Sequence, residues 1–361
     1  LSVNTDMKQR APKEKKKRSL PARIILSVLL FAALAVIITA GAFAGTAYIM
    51  VNKISREEPA AEPMTEEEVI AYDQAEIEAQ AGDASIAELP EVHPDEVVFT
   101  ENADIKEKEE KEDAPAAPGK CVNILLVGQD RRPGQGRQRS DAVILVTFNK
   151  SRKTITMTSI MRDTYVQIPG YKNNRFNAAY AFGGFDLLDR TVEKNFGVKV
   201  DGNVSVDFMQ FMSIIDTLGG VDITVNDAEA EYLQLPSAGS YHVNGLKALE
   251  YAWTRKIDSD FSRTGRQRKL LQAVYNAYRN AGTSELLSLF NDLLPMLTTD
   301  MSNSQILGYA ADLLPMVRSS ALQSQRIPVD GSYKNALVDK KAVLVIDFEK
   351  NRRALADVMS E

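Results

Sequence analysis

Residues 24–52 hold no charged side chain, a run of 29 in a chain of 361. Crossing the hydrocarbon core of a bilayer takes about 20 apolar residues of helix, whereas the apolar stretch of a cleavable leader is roughly 7–15. Ala42-Phe43-Ala44 imitates a small-x-small cleavage site, so a removed leader is the alternative. The length favours a retained transmembrane helix. Ahead of it, Lys8, Arg10, Lys13, Lys15, Lys16, Lys17, Arg18 and Arg23 are opposed only by Asp6 and Glu14. Positive flanks stay cytoplasmic. Residues 1–23 are therefore expected as a cytoplasmic basic tail, and everything after Lys53 as lying outside the cell membrane.

The next segment is of a different kind. Residues 57–113 carry 21 Asp and Glu against three Lys, with few large apolar side chains. Such a composition buries too little apolar surface to offset the entropy of folding, which predicts an acidic, disordered linker over residues 53–118. Within it, residues 66–81 are dominated by Glu, Ala and Gln, lack Pro and Gly, and have helical propensity. The formal charge of −6 is thus unevenly shared, and removing the tail and linker leaves roughly +4 on residues 114–361. A mildly basic outer domain suits an anionic ligand near a membrane; nucleic acid is not an expected partner. Cys121 stands alone, so the chain has no intrachain disulfide and this residue is expected as a small packed hydrophobe. A disulfide-free outer domain points to a bacterial surface.

Residues 122–127 form a continuous apolar run ended by Gly128, the pattern of a strand buried on both faces. Strand character follows at 142–148, 154–160 and 165–168. The period then becomes helical over 185–196 and 207–218, where Phe208, Phe211, Met212 and Ile215 share a face and Gly219-Gly220 ends the run. A strand is expected at 221–225 and helices at 245–255, 265–281, 284–294 and 304–314. A late strand at 343–346 and a closing helix at 348–359 complete an α/β pattern. Strands mixed with helices of these lengths imply a sheet covered on both faces, in one domain over residues 119–361.

The chain has only His93, in the linker, and His242, in a turn, so a histidine-based triad or zinc site is not expected. No Gly-x-x-x-x-Gly-Lys-Ser/Thr phosphate loop is present either. What remains is Asp and Arg chemistry. Asp130 and Asp141 lie among Arg131, Arg132, Arg137 and Arg139, between two strand-like runs. Arg162 follows a third such run, and Arg255, Arg263, Arg266 and Arg268 gather around a loop expected over 258–265. If the strands flanking 129–141 are neighbours, both carboxylates emerge at one sheet edge. Mg²⁺ takes one or two protein carboxylates together with waters and phosphate oxygens, and guanidinium forks match phosphate. The same residues also read as surface ion pairs, Asp130 and Asp141 with Arg131, Arg132 and Arg139, and Arg162 with Asp163.

Seven stretches, in order and at suitable spacing, resemble the LytR–CpsA–Psr family of cell-wall glycopolymer transferases. They are Asn123-Ile-Leu-Leu-Val-Gly-Gln-Asp130, Arg139-Ser-Asp-Ala-Val-Ile-Leu145, Ser159-Ile-Met-Arg-Asp-Thr164 and Asn177-Ala-Ala-Tyr-Ala-Phe-Gly-Gly184. Asp216-Thr-Leu-Gly-Gly-Val-Asp222, His242-Val-Asn-Gly-Leu-Lys-Ala-Leu249 and Asp260-Phe-Ser-Arg-Thr-Gly-Arg-Gln267 follow. The resemblance covers residues 122–361 and the topology of tail, single span and outer domain. It implies an α–β–α sandwich with a central mixed sheet and a deep apolar pocket for a polyprenyl chain. The implied activity is a Mg²⁺-dependent phosphotransferase that moves a teichoic acid or capsule-type glycopolymer from polyprenyl pyrophosphate onto a peptidoglycan hydroxyl.

By the same resemblance, Asp130 and Asp141 hold the metal, while Arg139, Arg162, Arg255, Arg263 and Gln267 contact the pyrophosphate. Arg162, Asp260 and Arg263 are the implied catalytic residues. No general base is evident in the sequence; an Asp near the site, such as Asp163 or Asp260, is the candidate proton acceptor. One departure stands out. The usual Arg-x-Arg reads Trp253-Thr-Arg255 here, which removes one phosphate contact that Arg175 or Lys256 would have to replace. A lipid pyrophosphate hydrolase, or a polyprenyl-phosphate-binding regulator without turnover, would use the same residues.

Overall fold

A computed structural model describes residues 47–57, 64–80, 86, 88–100, 120–129, 137, 139–254, 257–279 and 281–360. Of the expected span at 24–52, residues 24–46 fall outside them, and among the described residues no helix is long and apolar enough to cross a membrane.

The strands are β1 (Ser55–Arg56), β2 (Cys121–Gln129), β3 (Ser140–Asn149), β4 (Thr154–Ile160), β5 (Tyr165–Val166), β6 (Asn174–Arg175) and β7 (Gly202–Asp207). After them come β8 (Val221–Val225), β9 (Gly239–Val243), β10 (Thr298–Thr299), β11 (Leu322–Ile327), β12 (Tyr333–Val338) and β13 (Lys341–Ile346). The helices are α1 (Glu66–Gln80), α2 (Phe176–Phe196), α3 (Phe208–Thr217), α4 (Asp227–Tyr232) and α5 (Gly245–Trp253). They continue with α6 (Asp260–Tyr278), α7 (Thr283–Leu293), α8 (Asn303–Ser319) and α9 (Phe348–Met359).

Seven strands build the central sheet in the order β1-β10-β7-β2-β3-β4-β11. It is mixed: β2, β4, β7 and β11 run one way, while β3 and β10 oppose them. Side chains of a strand alternate between faces, and both faces here are apolar. Leu125, Val127, Val143 and Leu145 pack with residues of α2 and α9. Ile144, Val146, Ile155 and Met157 pack on the other side against Leu271 and Tyr275 of α6 and Val317 of α8. Burying each such aliphatic side chain is worth about 1.5–3 kcal/mol, so the two covered faces supply much of the fold's driving force.

Several elements differ from the sequence pattern. β7 and β11 carry too many polar residues to read as strands, yet β7 pairs with β2 and β11 with β4. The expected late strand is β13, which pairs with β12 in a separate hairpin. α2 starts at Phe176, nine residues before the expected helix, and is bent at Gly183 and Gly184, where Gly184 has φ +64. That left-handed backbone favours glycine; a β-carbon there would also lie 2.8 Å from Arg137 Nη1 and Glu57 Oε1, the tips of flexible side chains that can shift. α6 begins at Asp260, capped by the Ser259 side chain accepting from Ser262 N, so most of the loop expected over 258–265 is helix. The strand expected over 165–168 closes after Val166.

α1 is helical, as its composition anticipates, but it is not solvated throughout. It lies against the domain: Met64 N donates to Phe182 O at 3.0 Å, and Ala342 N to Gln80 Oε1 at 2.9 Å. Asp73 accepts from Asn174 Nδ2 at 2.8 Å and from Lys341 Nζ at 3.0 Å.

Candidate active site

Four parallel strands, β2, β4, β7 and β11, end at the sheet edge where antiparallel β3 begins. Loops leaving that edge bring the charged residues together, as is usual for ligand sites of open α/β sheets. In the β2–β3 pairing, Gly128 faces Ala142 and Gln129 faces Ser140. Asp141 is therefore the extra residue of a β-bulge, a device that re-aims a side chain. Asp130 lies outside the described residues; its predecessor Gln129 pairs with Ser140, the predecessor of Asp141.

Arg162 sits in the turn after β4. That turn is held by Met161 N donating to Ile327 O at 2.8 Å and by Asn177 N donating to Arg162 O at 3.1 Å. Its Nη1 donates to Asp141 Oδ1 at 2.8 Å, and its Nε lies 3.4 Å from Asp163 and 3.7 Å from Asp260. Burial works against the guanidinium charge, but Asp163, Asp141 and Asp260 outweigh it and hold the pKa above the ordinary arginine value. Arg263, on the first turn of α6 and fully buried, donates through Nη2 to Asp260 Oδ2 at 2.8 Å. The structure thus brings Asp141, Arg162, Asp260 and Arg263 into one cluster. Arg255 lies outside the described residues.

Arg139 pairs with Glu76 of α1. Glu76 also pairs with Arg175, which lies 3.3 Å from Asp163. Arg175, the suggested substitute for a missing guanidinium, belongs to this ring of charges. Arg266 does not: it is buried as a structural staple, donating to Asp258 at 2.6 and 2.9 Å and to Thr254 O at 2.7 Å. Arg268 turns away to Ser159 Oγ and Ser324 Oγ. His242 is exposed on β9, where it meets Asp222 Oδ1 at 2.8 Å, far from this chemistry in character.

Beside the charges lies an apolar cavity of about 420 Å³, between the sheet and helices α3, α5 and α6. Leu126, Ile144, Phe211, Ile214, Trp253 and Leu271 form much of its wall. Cavities of this size are typical for organic ligands. Two lining residues join it to the charged cluster: Ala142 follows Asp141, and Gln267 is one helical turn beyond Arg263. Gln267 Nε2 donates to Ala252 O at 3.4 Å, while its buried Oε1 has no partner among the described residues. Trp253 serves the apolar wall, its ring edge-on to Phe208 with centroids 4.1 Å apart.

Sequence reasoning missed Glu76 and Tyr72. They sit in a segment whose acidity reads as solvation, and their only sequence signal is an i, i+4 spacing on a helical run.

Comparison with known proteins gives the family. The LytR_cpsA_psr family model matches residues 94–352. The chain is 30% identical over 282 residues to the polyisoprenyl-teichoic acid–peptidoglycan teichoic acid transferase TagT of Bacillus subtilis (strain 168), covering 74% of each. It is 33% identical over 244 residues to the corresponding transferase TagU of Bacillus cereus, covering 66% of this chain and 73% of the relative. A solved structure of the LytR-CPS2A-psr family protein YwtF (TagT) with bound octaprenyl pyrophosphate lipid matches with a TM-score of 0.53 and 27% identity. That match covers 69% of this chain and 95% of the other.

Proposed function

Because the chain belongs to the LytR_cpsA_psr family, we propose that it is a membrane-anchored phosphotransferase of a Gram-positive-type cell wall. It attaches an anionic glycopolymer, of teichoic acid or capsule type, from a polyprenyl pyrophosphate carrier to peptidoglycan. One observation carries the reading: an apolar cavity is lined by Ala142 and Gln267, the chain neighbour of Asp141 and the residue one helical turn from Arg263, both of which belong to a cluster of guanidiniums and carboxylates. The cavity takes the isoprenoid and the cluster takes the diphosphate. TagT and TagU, the relatives, are named for such a transfer, and the lipid in the YwtF (TagT) structure is a polyprenyl pyrophosphate.

In this reading a peptidoglycan hydroxyl attacks the phosphorus next to the sugar. The new P–O bond forms as the anhydride P–O bond breaks, and polyprenyl phosphate leaves with the electron pair. Arg139, Arg162, Arg255 and Arg263 neutralise the diphosphate, and Gln267 orients it at the cavity's polar end. The hydroxyl proton passes to Asp163 or Asp260. Positioning and charge neutralisation carry most of the catalysis, as is general for phosphoryl transfer.

Mg²⁺ fits the donor chemistry. Asp141 offers hard carboxylate oxygens on a bulge, and among the described residues no three His, Cys, Asp or Glu converge as a protein cage. Mg²⁺ needs only one or two protein carboxylates, and Asp141 with Asp130 would hold it. When bound, the ion supplies charge neutralisation at the diphosphate and polarises the phosphoryl group. The topology proposed is a cytoplasmic tail at 1–23, a span at 24–52 and an extracellular part. In that part the acidic stretch at 53–118, expected as a disordered linker, contributes β1, α1 and core residues Val97 and Phe99 to the catalytic domain of 119–361.

The test uses membranes carrying lipid-linked polymer, with added peptidoglycan. Asp141→Ala should abolish Mg²⁺-dependent transfer. Transfer at the unaltered rate would overturn the assignment of the metal-bearing site, and polymer released without linkage to peptidoglycan would identify a hydrolase.

A further inference from the structure

We propose that α1 is an internal competitor for the headgroup site: its Glu76 carboxylate occupies an anion position on Arg139 and Arg175, and α1 must lift away before a diphosphate can bind. The inference rests on the headgroup assignment above and adds a regulatory step to it.

Three observations carry it. First, Glu76 is 3% exposed, and among the α1 side chains described it alone is fully buried. A helix normally buries an apolar stripe. Here the deepest residue is a carboxylate, whose burial is tolerable only because guanidiniums receive it. Its ion-pair partners are Arg139 and Arg175.

Second, Tyr72 lies one turn before Glu76 on the same face of α1. Its hydroxyl is buried without a hydrogen-bond partner among the described residues. Burial raises its pKa, and Arg139, Asp141 and Arg162 all act on it electrostatically. α1 therefore presents two side chains to the headgroup cluster. The outer face of the helix is open to solvent: Glu66, Glu67 and Glu68 are exposed, and so is Ile70.

Third, among the described residues the ion pairs set Arg139, Arg162, Arg175 and Arg263 against Glu76, Asp141, Asp163 and Asp260. Taking Glu76 away leaves Arg139 and Arg175 to an entering diphosphate. A diphosphate brings more negative charge than one carboxylate and forks onto guanidiniums in the same way. Beyond Glu76, α1 and its leading turn are held by the polar contacts of Asp73 and Gln80 and by Met64, Val69 and Tyr72 against the core, Tyr72 edge-on to Phe182 at 5.1 Å. Displacement by a ligand has to give up these contacts as well as the Glu76 ion pairs.

The experiment measures binding of geranylgeranyl diphosphate to the full-length chain. A ligand that must displace a competing state binds with an affinity reduced by the fraction of open protein, so Glu76→Gln should bind about tenfold more tightly or better. Because Glu76→Gln also disturbs a buried ion pair, a second variant keeps Glu76. It joins α1 to the domain by Asp73→Cys with Asn174→Cys in a Cys121→Ser background, using side chains that meet at 2.8 Å. With the disulfide closed, as checked by thiol titration, binding should be lost, and reductant should restore it.

Equal or weaker binding by Glu76→Gln, or full binding by the closed disulfide form, would overturn the proposal and make α1 a fixed wall of the site. Arg139→Ala and Arg162→Ala separate the underlying assignment from the competitor. Their binding the diphosphate as well as the unaltered chain would remove the headgroup site itself, whatever α1 does.

Discussion

Arg162 keeps its charge in a nearly closed setting because three carboxylates oppose the cost of burial. Asp189 shows the reverse balance. It lies on α2, accepting from Asn203 Nδ2 at 2.8 Å. Burial, reinforced by Asp300, Asp186 and Glu57 and only partly offset by the Asn203 bond, pushes its pKa up to about 8. An unfolded Asp ionises near 3.9. Between about pH 4 and pH 8 the folded chain therefore holds a proton that the unfolded chain has released, and stability falls as pH rises. The slope from this one group is at most about 1.4 kcal/mol per pH unit. Asp189→Asn should flatten the decline in melting temperature between pH 5 and pH 8. Parallel melting curves for the two proteins would show that Asp189 ionises normally. Nothing in the linear sequence marks this carboxyl, since its shift comes first from burial, reinforced by residues as distant in the chain as Asp300 and Glu57.

At the scale of elements, α3 and α5 meet where a β-carbon on Gly245 would stand 2.2 Å from Met212 O. Gly245 N also donates to Asp216 Oδ1 at 2.7 Å, fixing the start of α5 against α3. Both helices line the apolar cavity. Gly245→Ala should separate them, lowering stability by about 1–3 kcal/mol as overpacking does. Urea unfolding measures that loss, and weaker geranylgeranyl diphosphate binding should accompany it. An unchanged midpoint would mean the backbones yield without cost. Elements with uninterrupted local patterns were legible: β4, β8 and α9 match the bounds expected from sequence. The start of α6 was not, because Ser262, Thr264 and Gly265 are weak helix formers. Tertiary contacts override them there, with Arg263 buried against Asp260 and Arg266 against Asp258. β7 and β11 were hidden for a related reason. Their polar residues find partners across the molecule, as Asn203 does with Asp189 and Asp300.

For the whole molecule, the proposed topology makes a direct prediction. Protease added outside intact cells stripped of their wall should remove the domain and leave a short membrane-bound fragment. Full protection of the domain would place it on the cytoplasmic side and exclude peptidoglycan as acceptor. The candidate site was half legible. Asp141, Arg162, Asp260 and Arg263 were named from their sequence context, and the fold brings them within ion-pair reach of one another. The bulge at Asp141 and the arrival of Glu76 were not.

The amino-acid order alone set what local patterning can set: an uncharged run long enough to cross a bilayer, an acidic stretch after it, and strands apolar on both faces. Each depends on neighbours a few positions apart, so the period of the chain reveals it. The tertiary structure decided which charges meet. Glu76, Arg139 and Arg175 come from three separate stretches of chain, and their pairing follows from where α1 lies on the domain. Burial makes that meeting energetically decisive, because a carboxylate out of water must find a cation, and no local pattern names which one.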